Sequence, residues 1–156
     1  MMSTSASRPL PVVDDEETAG FWQAATEHRL VVRTCNTCGV KIHLPKSYCH
    51  ECGSWDVGWR EVRPTGSVYS WTVLQHTIHE AFPAPSTIVL IALDEDPSVR
   101  FIGQIPGAAE LSEGMPMRVR FEDIEPGVTL PQWEPDPDPT RTSPSPHESE
   151  EVDGQA

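Results

Sequence analysis

No run in this chain comes near the roughly 20 apolar residues that a membrane-spanning helix needs, so none of its 156 residues is expected to cross a bilayer. The first residues, MMSTSASRPLPVV, lack the apolar core of a secretory signal, and the cytoplasm is the expected compartment. Bases are scarce: 11 Lys and Arg stand against 24 Asp and Glu, for a formal charge of −13. The average field of such a chain repels polyanions, which argues against nucleic acid as a partner. No glycine-rich phosphate loop is present, since GQIPG does not fit one. No Ser or Cys can be matched in the sequence with a base that would make it a nucleophile. There is no internal repeat.

Cysteine is limited to four residues, and all four fall in one stretch, CNTCGVKIHLPKSYCHEC, from Cys35 to Cys52. Two Cys-x-x-Cys pairs in a reducing compartment favour a metal over disulfides. Zinc takes four thiolates tetrahedrally at about 2.3 Å, and each pair places two sulfurs on one side of a tight knuckle. Gly39 and Gly53 follow the second cysteine of each pair, where the backbone often needs a positive φ. With Cys35, Cys38, Cys49 and Cys52 as ligands the site is closed, and one Zn²⁺ is expected there in a structural role. His43 and His50 lie nearby as substitutes that nothing requires. A ribbon this short has little core, so the metal is expected to supply its folding energy.

Five segments follow in order. Residues 1–14 are Ser/Pro-rich and read as flexible. Residues 15–29 read as a helix with acids crowded into its first turn. Phe21, Trp22, Ala25 and Leu30 form its apolar stripe, an expected docking face. Residues 30–62 read as strand–knuckle–strand–knuckle–strand, a zinc ribbon of the rubredoxin type. Residues 63–133 turn all-β: GSVYSWTVLQHT is a long strand, STIVLIAL a buried one, and DEDPS a turn. VRFIGQIP alternates, GAAELSEG has room for one helical turn, and MPMRVRFEDI sets Met117, Val119 and Phe121 against Arg118, Arg120 and Glu122. Five strands with a helical turn before the fourth suit an OB-fold barrel, although strand count leaves an SH3-like barrel or small sandwich open. From Glu134 to the end, seven acids meet one base, Arg141, among Pro and Ser. This stretch reads as a disordered acidic tail. The fold class is mostly β: helix, ribbon, OB barrel, tail.

Two further clusters invite a functional reading. His76, His79 and Glu80 in QHTIHEAFPAP have the chemistry for acid–base work, but a solvated loop between two strands accounts for them as well. Tyr69, Trp71 and Phe82, with Trp55 and Trp59, could stack on bases. A nucleic-acid reader would add a basic stripe, and Arg60, Arg63, Arg118 and Arg120 are interleaved with acids. Core and interface packing is the commoner use of such aromatics, so Tyr69, Trp71 and Phe82 join Phe21 and Trp22 as expected partner-contact residues.

The order of parts resembles the acyl-CoA-associated zinc-ribbon/OB-fold proteins, long catalogued as a domain of unknown function. The resemblance rests on LVVRTCNTCG, YCHECGS, GSVYSWTVLQHT, FPAPSTIVLIALDED and GMPMRV, between Ala19 and Trp133. It implies a small partner of thiolase-fold or hydratase-type enzymes that act on acyl-CoA thioesters. Some relatives sit with thiolase-like aldolases that cleave the side chain of steroid CoA thioesters; archaeal ones bridge a thiolase and a synthase and help hold CoA. The chemistry is credited to the partner, so no catalytic residue is expected here. Asp96-Pro97-Ser98 replaces the relatives' glycine turn. The sequence carries no fused hydratase domain, so a non-covalently recruited partner is expected.

Overall fold

The computed structural model describes residues 8–138. The tail reading therefore falls, from residue 139 on, outside the described residues, as does the reading of residues 1–7. Arg8 lies against the barrel: it pairs with Glu122 at 3.4 Å and its guanidinium sits 5.4 Å from the Phe82 ring centroid.

The helix α1 spans Ala19–Thr26, shorter at both ends than expected. The acids before it form a turn, in which Thr18 and Ala19 donate their N–H groups to the Asp15 carbonyl at 3.1 and 2.7 Å. The Asp15 side chain accepts the Glu17 N–H, and the Glu17 side chain accepts the Ser47 N–H. The Glu17 carboxylate ties the lead-in to the ribbon, the Asp15 carboxylate closes the turn before the helix, and neither lines a first helical turn. At the far end Arg29 donates to the Ala24 carbonyl, five residues back, and His28 takes a left-handed φ of 56°. That is a Schellman-type stop.

The ribbon is an antiparallel sheet of β1 (Val31–Cys35), β2 (Lys41–Ile42) and β3 (Val57–Glu61), in the order β2-β1-β3. The barrel follows as β4 (Thr65–Leu74), β5 (Ser86–Leu93), β6 (Asp96–Pro106), β7 (Pro116–Glu125) and β8 (Val128–Pro135). Its order is β6-β5-β4-β7-β8, antiparallel throughout. The outer strands β6 and β8 face each other without a backbone ladder. Gln132 Oε1 accepts the Gln104 N–H at 3.2 Å, and the Trp133 indole lies where a Cβ on Gly103 would come within 2.6 Å. This closure by side chains is the partly open barrel of an OB-fold.

Three sequence expectations change. GAAELSEG is not helical; Leu111 and Met115 pack on the core from an irregular loop. The turn after β5 is only Asp94–Glu95, and Asp96 to Ser98 already belong to β6, with the Asp96 carboxylate taking both the N–H and the hydroxyl of Ser98. Strand β8 runs two residues past Trp133, with Glu134 opposite Arg118. The alternation of β7 is as expected, with Met117 fully buried and Val119 and Phe121 packed on the core.

One core serves helix, ribbon base and barrel. Leu30, Val32 and Val62 from the base join Val68, Val89, Ile91, Leu93, Val99, Phe101, Met117 and Trp133, with Phe21 packed against them. Phe21 stacks on Phe101 at 6.0 Å between centroids, and Ala24 and Ala25 are buried. The barrel thus covers much of the apolar stripe of α1 from within the chain, and Trp22 is the stripe residue that faces outward.

Candidate metal centre and apolar groove

Cys35 closes β1, Cys38 ends the first knuckle, and Cys49 and Cys52 form the second. Gly39 and Gly53 have φ of 79° and 71°, so each knuckle turns through a backbone that L side chains avoid. The Gly39 N–H donates to the Cys35 carbonyl at 2.9 Å, and the Gly53 N–H to the Cys49 carbonyl at 3.0 Å.

The four sulfurs all lie within 4.8 Å of one another. Cys35 and Cys52 are 3.6 Å apart, as are Cys38 and Cys49. A tetrahedron with metal–sulfur bonds of about 2.3 Å has edges of about 3.8 Å, so the set fits one metal ion. The electrostatics agree. The N–H of Cys38, helped by that of Thr37 and opposed by burial, draws the Cys35 thiol down to about 6. At Cys38 the Val40 N–H favours the thiolate, yet burial and the other three sulfurs push it up to about 12. Four thiolates cannot coexist at this range without a cation between them. Residues Cys35 and Cys49 are buried and Cys38 and Cys52 exposed at the rim. All four positions being protein, the site leaves no place for substrate.

Above the ribbon sheet a groove of about 580 Å³ opens between α1, the ribbon and the outer face of β5 and β6. Phe21, Trp22, Trp59, Leu44, Leu90 and Ile102 give it an apolar wall. Leu44 and Ile102 are 73% and 72% exposed, unusual for such side chains. Arg33, Arg100 and His43 also line it, and Asp and Glu are absent from the wall. Burial holds His43 below its ordinary pKa, against the Arg100 backbone carbonyl. Its ring packs on Phe101 at 4.6 Å.

A second hollow, of about 380 Å³, shares Ile88 and Gln104 with the first. It brings together His76, His79 and Phe82, whereas Glu80 stays outside its wall. His79 Nδ1 accepts the Ala81 N–H at 3.1 Å, so that nitrogen is occupied in holding the loop. Tyr69 and Trp71 are exposed on β4, and Trp22 faces the groove. Arg63, Arg118 and Arg120 each meet a carboxylate and Arg60 bonds to Asn36, so these four make no basic stripe. Sequence reasoning missed Arg33, Arg100, Leu44 and Ile102. Ile102 was within reach, as an isoleucine at an outward position of the alternating VRFIGQIP. Among the described residues no helix is long and apolar enough to cross a membrane.

A closed thiolate site on a ribbon whose base shares a core with an OB barrel defines a small class of two-part modules. Family profiles match both parts: the ChsH2 rubredoxin-like zinc ribbon domain over residues 22–57 and the ChsH2 C-terminal OB-fold domain over residues 59–122. One chain of the solved Ltp2–ChsH2(DUF35) aldolase is 32% identical, with 80% of this chain and 98% of that one covered at a TM-score of 0.72. A Sulfolobus solfataricus structure of the DUF35 family, of unknown function, shares the fold at 17% identity and a TM-score of 0.51, over 76% of this chain and 84% of that one. A Thermomonospora curvata protein described as a probable enoyl-CoA hydratase alpha subunit is 35% identical over 133 residues, 83% of this chain. This chain spans 40% of that relative's length. The chain belongs to the ChsH2-type zinc-ribbon/OB-fold (DUF35) family.

Proposed function

We propose that the chain is a non-catalytic accessory subunit of a thiolase-fold acyl-CoA enzyme, a carbon–carbon lyase that performs a retro-aldol cleavage on a steroid or long-acyl CoA thioester. The observation that carries this reading is the likeness to the chain of the Ltp2–ChsH2 aldolase, at 32% identity over 98% of that chain. The site geometry supports it from the other side. The metal centre is closed, and His79 is engaged in its own loop. The metal is one Zn²⁺, held by Cys35, Cys38, Cys49 and Cys52 and structural in role. The chain acts by docking, which orders the entrance of the partner's active site, and it meets the CoA thioester only within that complex. Trp22, Tyr69, Trp71 and Phe82 contribute to the contact; Phe21 supports it from beneath. A second reading, a subunit of an acyl-CoA hydratase or of a thiolase/synthase complex, is favoured by the description of the Thermomonospora curvata relative.

The test is a pull-down of the tagged chain from its native host, with mass spectrometry of what accompanies it. A stoichiometric thiolase-like subunit whose lyase activity needs this chain is the expected result. A hydratase-like subunit moves the second reading to first place. A solitary protein that turns over acyl-CoA, or one carrying nucleic acid, overturns the proposal.

A further inference from the structure

Most arginines in the described residues meet a carboxylate: Arg8, Arg29, Arg63, Arg118 and Arg120 all do. Arg33 and Arg100 have neither an ion pair nor a side-chain hydrogen bond among the described residues, and both line the 580 Å³ groove. In a chain of formal charge −13, the larger of the two grooves described has two guanidinium groups in its wall and no acid among the described residues.

Both groups are held ready. The Arg33 guanidinium lies 5.1 Å from the centroid of the Trp59 ring, and that of Arg100 lies 3.8 Å from the centroid of Tyr69. Stacking uses the flat face of a guanidinium and leaves its in-plane N–H donors free at the edge, where a carboxylate binds. Arg33 Nε is buried with no hydrogen-bond partner, a donor that folding has removed from water without compensation. The surrounding wall is apolar for a reason visible in β5. Val89, Ile91 and Leu93 fill the barrel, while Ile88 and Leu90 face the groove, so the strand is apolar on both sides. A sheet patterned in this way is built to be covered on both faces.

We propose that the groove is the surface on which the acyl-CoA enzyme subunit docks, through an apolar segment flanked by Asp or Glu side chains that pair with Arg33 and Arg100. This rests on the accessory-subunit reading and adds to it the place and the chemistry of the contact. Charge complementarity decides the occupant. A second copy of this chain, docked groove to groove, would set guanidinium against guanidinium.

The test measures the affinity of the full chain for the subunit recovered in the pull-down, as a function of salt. Arg33→Gln with Arg100→Gln is expected to weaken binding by about 30-fold or more and to flatten its salt dependence. Arg118→Gln removes a charge elsewhere and is expected to leave the affinity within about twofold. Ile102→Glu, at an exposed position that folding does not use, sets an acid among the arginines and should weaken binding as the double variant does. Unchanged affinity in the double variant and in Ile102→Glu overturns the surface while leaving the accessory reading intact. Equal weakening by Arg118→Gln also overturns it, since the effect is then one of general charge. Failure of the unaltered chain to bind any acyl-CoA enzyme subunit overturns both readings. Saturable binding of laurate to the isolated chain, lost in the arginine variant while subunit affinity is unchanged, reassigns the groove to a small amphipathic anion and overturns docking.

Discussion

The ring of Phe21 lies within 18° of parallel to that of Phe101, whereas Trp22 meets Phe21 edge-on, their planes at 79°. Of these adjacent residues Phe21 reaches the core as well as the groove wall, whereas Trp22 meets the groove without joining the core. Phe21→Ala should lower the stability of the chain by about 2–3 kcal/mol, because a half-buried ring leaves the shared core. Trp22→Ala should leave the melting temperature nearly unchanged and weaken partner binding. Thermal denaturation and binding measured on the two single variants separate these effects; a stability loss confined to Trp22→Ala would reverse the assignment. The sequence placed both residues on one apolar stripe, and periodicity goes no further. It reports which face is apolar, not whether the chain's own barrel or another protein covers it. The cysteines were legible for the opposite reason, since their function is written in spacings of a few residues. Arg33 and Arg100 were not legible. What marks them is the lack of a carboxylate in three dimensions, and no local pattern carries that.

At the scale of elements, the strands of the barrel were read with the correct order along the chain, because alternation in β4, β6 and β7 and the continuous apolar run of β5 are local signals. The ends were read less well. Gly107 and Gly114 frame a segment with helix-forming residues, yet Leu111 and Met115 both pack into the barrel mouth, and tertiary burial overrides propensity there. Strand β8 shows the same limit. Glu134 and Pro135 look like tail, but Glu134 bonds to Arg118 at 2.7 Å, its other oxygen lies 3.7 Å from Arg120, and Asp136 donates its N–H to the Pro116 carbonyl. A chain ended at Trp133 loses these contacts. It should be less stable by about 1–2 kcal/mol than one ended at Asp138, from a backbone bond or two and an exposed ion pair. Chemical denaturation of the two truncations provides the measurement. Equal midpoints would show that β8 is complete at Trp133, as its apolar pattern alone suggests.

The whole molecule has two unequal cores. The large one unites barrel, helix and ribbon base; the small one, at the ribbon tip, consists of Cys35, Ile42 and Cys49 with Val40 and Val57 packed against them. Two of those three buried residues are cysteines of the candidate metal site, so the tip has little apolar burial of its own, and a bound metal would supply its folding free energy. The base is anchored otherwise, because Leu30, Val32 and Val62 sit among barrel residues. Removing the metal with a chelator, or replacing Cys35 with Ser, should therefore melt the tip and spare the barrel. Hydrogen exchange read by mass spectrometry is the direct check. Amides from Thr34 to Val57 should lose protection by about 100-fold or more, while those of Val89 to Leu93 keep it. The groove links this loss to function. Arg33 and Ile42 belong to its ribbon wall, and Trp59 holds Arg33 from the adjoining strand. Loss of the metal should then abolish docking in a chain whose barrel is still folded. Uniform loss of protection would mean that the metal holds the entire molecule together. Full retention of both protection and docking would mean that the four cysteines stabilise the ribbon without a metal.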